Sequence, residues 1–167
     1  MIGHRSQARR YAVLALYQWQ LTGQDPKEIA RHFFDDPTWV SEVADSLSEG
    51  VGEEGAGGPK ASFDRKLFRE LVYGVPEHLT EVDARLAPAL DRAISQVDPV
   101  ERAILRLGTY ELVFCPGVPY RVAINEAVDL AKLFGAEQGH RYVNGVLDHV
   151  ARDVRPAEAV RREPLPS

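Results

Sequence analysis

An all-α fold is predicted by three features of the 167-residue sequence. Apolar residues recur at three- and four-residue spacing through most of the chain, and nothing convincingly alternates at period two. Capping residues, prolines and glycines punctuate the periodic runs where helices would start and stop. In the first run Ala8, Ala12, Ala15, Leu16 and Trp19 share a helical stripe, and Gly23 supplies a stop. Asp25-Pro26-Lys27-Glu28 then combines a side-chain cap, a proline preset for the first turn and a carboxylate three residues after the cap. Asp98-Pro99-Val100-Glu101 repeats that pattern. These acids are read as helix starts and not as catalytic pairs, because capping requires this spacing and catalysis does not.

Asp36-Pro37 is expected to open a short helix carrying Trp39, Val40, Val43, Ala44 and Leu47. The stretch 48–60 that follows holds five glycines and a proline, the composition of a mobile surface loop. It does not read as a phosphate-binding loop: Gly58-Pro59-Lys60 replaces Gly-Lys-Ser/Thr, no strand precedes it, and Glu53 and Glu54 would repel phosphate. From Phe63 onward Leu67, Leu71, Val75, Leu79, Val82, Leu86 and Leu90 form the stripe of a long helix or of two helices in line. Pro76 and Pro88 are the expected kinks or restarts. A helix after Pro99 points Ala103, Ile104, Leu107, Tyr110 and Phe114 inward. Another, Tyr120 to Phe134, carries Ala123, Ala127, Leu130, Ala131 and Phe134 and closes at Gly135. The last, from about Ala136 to Arg152, buries Val143, Val146, Leu147 and Val150. The organisation is therefore an N-terminal helical subdomain (1–50), a flexible connector (51–62), a central and C-terminal helical subdomain (63–154), and a tail (155–167) expected to be disordered.

Composition narrows the class. A chain 44% hydrophobic and 27% charged has the make-up of an ordinary globular domain. Cys115 is the single cysteine, so no internal disulfide can form, and a reducing, cytoplasmic setting is expected. No apolar run approaches the ~20 residues of a membrane span, and the first residues lack the apolar core of a secretory signal. The net charge of −5 is unevenly spread. Residues 1–24 carry Arg5, Arg9 and Arg10 and no acid, whereas 25–83 carry 14 acids against 6 bases. Such an edge can hold a polyanion locally, because screening confines each charge to roughly 10 Å; from three arginines alone, a plain solvated helix start is the better explanation.

Signs of catalysis are missing. His4, His32, His78, His140 and His149 are scattered, without metal-ligand spacing, and Cys115 has no histidine near it in sequence. There is no nucleophile elbow, dinucleotide fingerprint or kinase signature. Neither an enzyme nor a cofactor is expected.

The segment from Val118-Pro119-Tyr120-Arg121-Val122-Ala123-Ile124-Asn125-Glu126-Ala127 to Lys132, followed by Tyr142-Val143-Asn144-Gly145-Val146-Leu147-Asp148, closely resembles the NusB family of transcription antitermination factors. The likeness extends to Glu101-Arg102-Ala103-Ile104-Leu105-Arg106, to Phe68-Arg69-Glu70-Leu71-Val72, and to Ala15-Leu16-Tyr17-Gln18-Trp19-Gln20-Leu21. It covers the chain from about Ala8 to Val154, broken mainly at the glycine-rich loop. The resemblance implies two small packed helical bundles with about seven helices. It also implies binding of single-stranded boxA RNA together with NusE, a small-subunit ribosomal protein, and assembly of the pair on RNA polymerase in an antitermination complex that supports ribosomal RNA transcription.

The residues fit that role. On a helix Arg5 and Arg9 lie one turn apart on one side, while Arg10 and Tyr17 share another side two turns apart. Guanidinium groups grip phosphates and tyrosine rings stack on splayed bases, the usual way single-stranded RNA is read. His140-Arg141-Tyr142 places a second cation next to an aromatic residue. By resemblance the RNA surface comprises Arg5, Arg9, Arg10, Tyr17, Gln138, Arg141 and Tyr142, with Glu101 toward the protein partner; Glu101 also reads as a capping-box carboxylate. Ser6-Gln7-Ala8 interrupts the arginine run that opens many members. On this reading, replacing Arg9 and Arg10 together with alanine weakens RNA binding with little effect on thermal unfolding. The alternative is a helical interaction module, with a homodimer left open, whose arginines are masked and which binds no RNA of its own. An RNA methyltransferase reading is set aside, since the chain has no glycine-rich cofactor loop.

Overall fold

A computed structural model describes residues 3–35, 63–135 and 138–162. The short helix expected from Asp36, the glycine-rich connector and the start of the last helix at Ala136 lie outside the described residues. Among the described residues there is no strand, and eight α-helices account for the architecture.

Helix α1 (His4–Thr22) runs through the centre of the molecule. From Gln7 to Leu16 every residue but Arg10 is buried, so its surroundings are protein on nearly all sides. This exceeds the single stripe expected from sequence: Val13 and Leu14 are as buried as Ala8 and Ala12, while Trp19 is only half-buried. The helix stops at Gly23, whose φ of 70° lets its N–H reach Trp19 O at 2.8 Å. That left-handed conformation is easy for glycine and costly for other residues. Helix α2 (Pro26–Asp35) starts at the Asp25 cap, whose Oδ1 accepts the Lys27 N–H at 2.9 Å.

The stripe after Phe63 resolves into α3 (Arg65–Glu77) and α4 (Leu79–Leu86), broken at His78 just after Pro76. Helices α1, α2 and α3 form one bundle. In it Tyr11, Phe33, Phe63 and Phe68 make tilted and edge-to-face ring contacts at 4.9–6.0 Å, the arrangement that aromatic quadrupoles prefer. The second bundle consists of α5 (Pro99–Phe114), α6 (Tyr120–Phe134) and α7 (Gly139–Val154), with α4 laid across α5. Helix α5 also packs on α1 and α3, so the buried residues of both bundles merge into one hydrophobic core. At the α3–α5 crossing a β-carbon on Gly74 would run into the Tyr110 ring, so only glycine admits this approach.

Two expectations change. Residues 155–162 are not a disordered tail. Pro156 begins α8 (Pro156–Arg162), which packs on α7. The preceding Arg155 is buried: its guanidinium donates to Leu112 O, Glu111 O, Cys115 O and Val118 O at 2.5–3.1 Å. A helix C-terminus leaves its last carbonyls without intrahelical partners; Arg155 satisfies that of Leu112 and adds a second donor to that of Glu111, which also accepts the Cys115 N–H. In turn Glu158 of α8 accepts the Tyr120 N–H that begins α6. The second change concerns Glu101. Asp98 caps α5 as expected, accepting the Val100 and Glu101 N–H groups at 3.1 and 3.2 Å, but the Glu101 side chain does not complete a capping box. It lies against Gly139 at the start of α7, closing the gap between the two helix starts.

Candidate nucleic-acid interface

The three arginines of α1 have three different environments. Arg5 is exposed (56%) and meets Asp64 only loosely, at 3.5 Å. Arg10 is half-buried; burial lowers its pKa, and Glu126 and Asp129 act in the opposite sense. Arg9 faces inward and is 2% exposed. Its Nε and Nη2 donate to the two carboxylate oxygens of Glu111, each at 2.8 Å, and Nη1 donates to Glu126 at 2.8 Å. Glu126 also accepts the Ser6 hydroxyl. Burial opposes the charge on Arg9, but hydrogen bonding and attraction from Glu111, then Glu126, outweigh it and hold the pKa above its ordinary value. The expectation that Arg9 joins Arg5 in gripping phosphate is therefore corrected: its donors are committed to two carboxylates inside the protein, and it fastens α1 to α5 and α6.

At the opposite end of α1, Tyr17 is half-buried against the core. One turn later Gln20 donates to Pro99 O at 2.9 Å and accepts from Arg106, which forms a two-pronged pair with Asp83. These bonds hold the Tyr17 end of α1 beside the first turn of α5, where Glu101 lies. Gln138 and Arg141 are exposed at the start of α7. Tyr142 is half-buried and donates its hydroxyl to Asp91 at 3.0 Å, with the Arg92 guanidinium 5.0 Å from its ring centroid. Burial raises the Tyr142 pKa, and the bond to Asp91 raises it further. Glu101 is pushed up by burial and by Asp98, with Arg92 pulling the other way.

The structure thus brings Glu101, Tyr142 and the first turn of α7 to one corner, with Arg5 and Arg10 further along α1. It adds Asp91 and Arg92, which sequence reasoning missed. An Asp-Arg dipeptide between helices carries no signal of its own, and its link to Tyr142 spans 51 residues.

Among the described residues no group of His, Cys, Asp and Glu is arranged to hold a metal ion, and no helix is long and apolar enough to cross a membrane. Burial, with Glu111 and Glu70 nearby, pushes the Cys115 thiol up to about 11. At neutral pH it is therefore protonated and a poor nucleophile. Alkylation of Cys115 by iodoacetamide is expected to stay slow at pH 8 and to rise with a midpoint about 2 units above an ordinary thiol's. Mass-spectrometric labelling across pH would test this, and a midpoint near 8.5 would contradict it.

Fold and site together define a helical-bundle protein with Arg5 exposed and Arg10 half-buried on α1, and an exposed Arg141 beside the half-buried Tyr142 at the start of α7. The NusB family profile matches residues 6–152. Transcription antitermination protein NusB of Nitrosococcus oceani is 47% identical over 158 residues, covering 95% of this chain and 92% of that protein. Its counterpart from Alkalilimnicola ehrlichii is 50% identical over 149 residues, covering 89% and 81%. A crystal structure of antitermination factors NusB and NusE in complex with double-stranded RNA contains a chain 28% identical, with a TM-score of 0.67, covering 92% of this chain and 99% of that one. The solution structure of NusB from Aquifex aeolicus is 27% identical, with a TM-score of 0.65, over 99% and 97%. The chain belongs to the NusB family.

Proposed function

We propose that this protein is an RNA-binding transcription antitermination factor of the cytoplasm. It binds single-stranded boxA RNA together with NusE and assembles on RNA polymerase in support of ribosomal RNA transcription. The observation that carries the reading is the match, over nearly the whole chain, to relatives named transcription antitermination protein NusB. The geometry is consistent with it. Arg5 and Arg10 supply positive charge along α1, and Arg141 with the Arg92-backed Tyr142 supplies a cation and a ring at the corner. Tyr17 and Gln138 complete the surface, and Glu101 sits where a protein partner would meet it.

Only one of the three α1 arginines is fully exposed, which favours weak RNA binding by the protein alone and a strong contribution from NusE. In fluorescence anisotropy with a boxA-like RNA at two salt concentrations, binding is expected to be salt-sensitive and tightened by NusE. Tyr142→Ala is expected to cost about 1–3 kcal/mol of RNA affinity through lost stacking, whereas Tyr142→Phe keeps most of it. No binding even with NusE present would favour an interaction module without RNA affinity.

A further inference from the structure

The α1 edge leaves a groove on the molecule unused. Three hollows run into one another along it. The first is lined by Arg5, Cys115, Gly117, Pro119 and the exposed Val122, and shares Arg5 and Cys115 with the second. The second reaches Lys66 and Glu70 on α3, and the third continues from those residues past Arg69 and Tyr73 to His78 and Tyr110. Lys66, Arg69, Tyr73 and Glu77 recur at three- and four-residue spacing on one side of α3. At 1.5 Å per residue they span about 16 Å of helix.

The chemistry of this groove is that of a nucleic-acid track. Arg5, Lys66 and Arg69 are all exposed along it. Two carboxylates beside them keep their charge but are held by the protein: Asp64 caps α3 by accepting the Leu67 N–H at 2.9 Å and meets Arg5 at 3.5 Å, and Glu70 accepts the Tyr110 hydroxyl. Glu77 stands at the far end. Rings are available between the cations and that end. Tyr73 is half-buried, and His78 stacks on Phe114 at 4.4 Å, which stacks on Tyr110 at 5.0 Å. His78 and Tyr110 are also 6.2 Å apart, so the three rings form a triangular cluster, of which His78 and Tyr110 line the third hollow. Positive groups that follow a backbone, interleaved with rings that accept any base, are what single strands bind without sequence preference.

We propose that this groove is a second track for the RNA strand, taking nucleotides that flank the element held at the α1 edge, with Lys66 and Arg69 on phosphates and Tyr73 and His78 under bases. The inference rests on the RNA-binding reading above, and Arg5 belongs to both surfaces, so a strand can pass from one to the other.

The test compares a short boxA-like RNA with the same RNA extended at either end by a polypyrimidine tail, using the full chain with NusE. One of the extended RNAs is expected to bind about tenfold more tightly, a gain that stacking of one further base can supply. Lys66→Ala with Arg69→Ala is expected to abolish that gain and leave the short RNA unaffected. The same variant should lower the slope of log affinity against log salt for the extended RNA by about 1.4, two phosphate contacts at 0.7 each. Lys66→Glu, a change at an exposed position, gives the same readout without touching Arg69. No gain on extension, or a gain that survives both variants with its salt slope intact, overturns the track. Variants that instead weaken only the effect of NusE make the groove a protein contact and equally overturn it. Failure of the short RNA to bind would overturn the RNA-binding reading itself, a different result from loss of the extension gain alone.

Discussion

Replacing Arg9 with alanine is expected to lower stability by about 3–5 kcal/mol, the usual cost of stripping one partner from a buried ion pair. Glu111 is 0% exposed, and without Arg9 its carboxylate would keep its burial and lose both charge-assisted bonds. For a domain of this size that is on the order of 10 °C in the unfolding midpoint. The double replacement of Arg9 and Arg10, read from sequence as an RNA-binding lesion with an intact fold, is thus foremost a folding lesion. Arg9→Met combined with Glu111→Leu is expected to recover most of the loss, because the fully buried carboxylate goes with its partner, while Glu126 is 21% exposed and keeps the Ser6 hydroxyl. Thermal unfolding followed by circular dichroism decides the matter. A midpoint unchanged in Arg9→Ala would show that the buried pair contributes nothing to stability. Arg5→Ala, by contrast, removes an exposed side chain with one long ion pair, and its effect should fall on RNA affinity alone.

The second large effect is expected at Arg155. Arg155→Ala strips the Leu112 carbonyl of its donor and takes a second donor from the carbonyls of Glu111 and Cys115, which keep the Cys115 and Val118 N–H groups. It also releases the Val118 carbonyl in the turn leading to α6. Unsatisfied buried polar groups cost about 1–3 kcal/mol each before relaxation and water entry; a net loss of about 3 kcal/mol is expected. Removing everything after Val154 should do at least as much harm, since α8 and the Glu158 bond to Tyr120 go with it. Urea denaturation of both variants against the intact chain checks this. Midpoints matching the intact chain would return residues 155–162 to the status of a dispensable tail.

Much of the fold was legible because helices announce themselves locally. Tyr120 to Phe134 is readable to the residue, since a proline precedes it, a glycine follows it and one apolar stripe faces the core between them. Gly23, Asp25, Asp98 and the break near Pro76 were likewise visible within a few residues of sequence. What escaped depends on partners far along the chain. Arg9 sits among basic residues and reads as surface until Glu111 and Glu126, 102 and 117 residues away, fold against it. Arg155-Pro156 reads as the start of a disordered tail, yet the proline occupies the first position of α8 and the arginine binds carbonyls about 40 residues upstream. The same limit applies to the site. Tyr142 could be proposed from its neighbours His140 and Arg141, but not the Asp91 and Arg92 that position it.

The central placement of α1 has a consequence for the order of events during synthesis. Its apolar faces and its buried arginine leave the ribosome first, but the carboxylates that neutralise Arg9 are made only after residues 111 and 126. The clamp that secures α5 waits for residue 155. Contacts of such long sequence separation form slowly. Helix α1 can therefore pack on α2 and α3 once the first half of the chain is made, while its buried arginine waits for α5 and α6 before its charge is neutralised, and in that interval the partly packed helix is a target for aggregation.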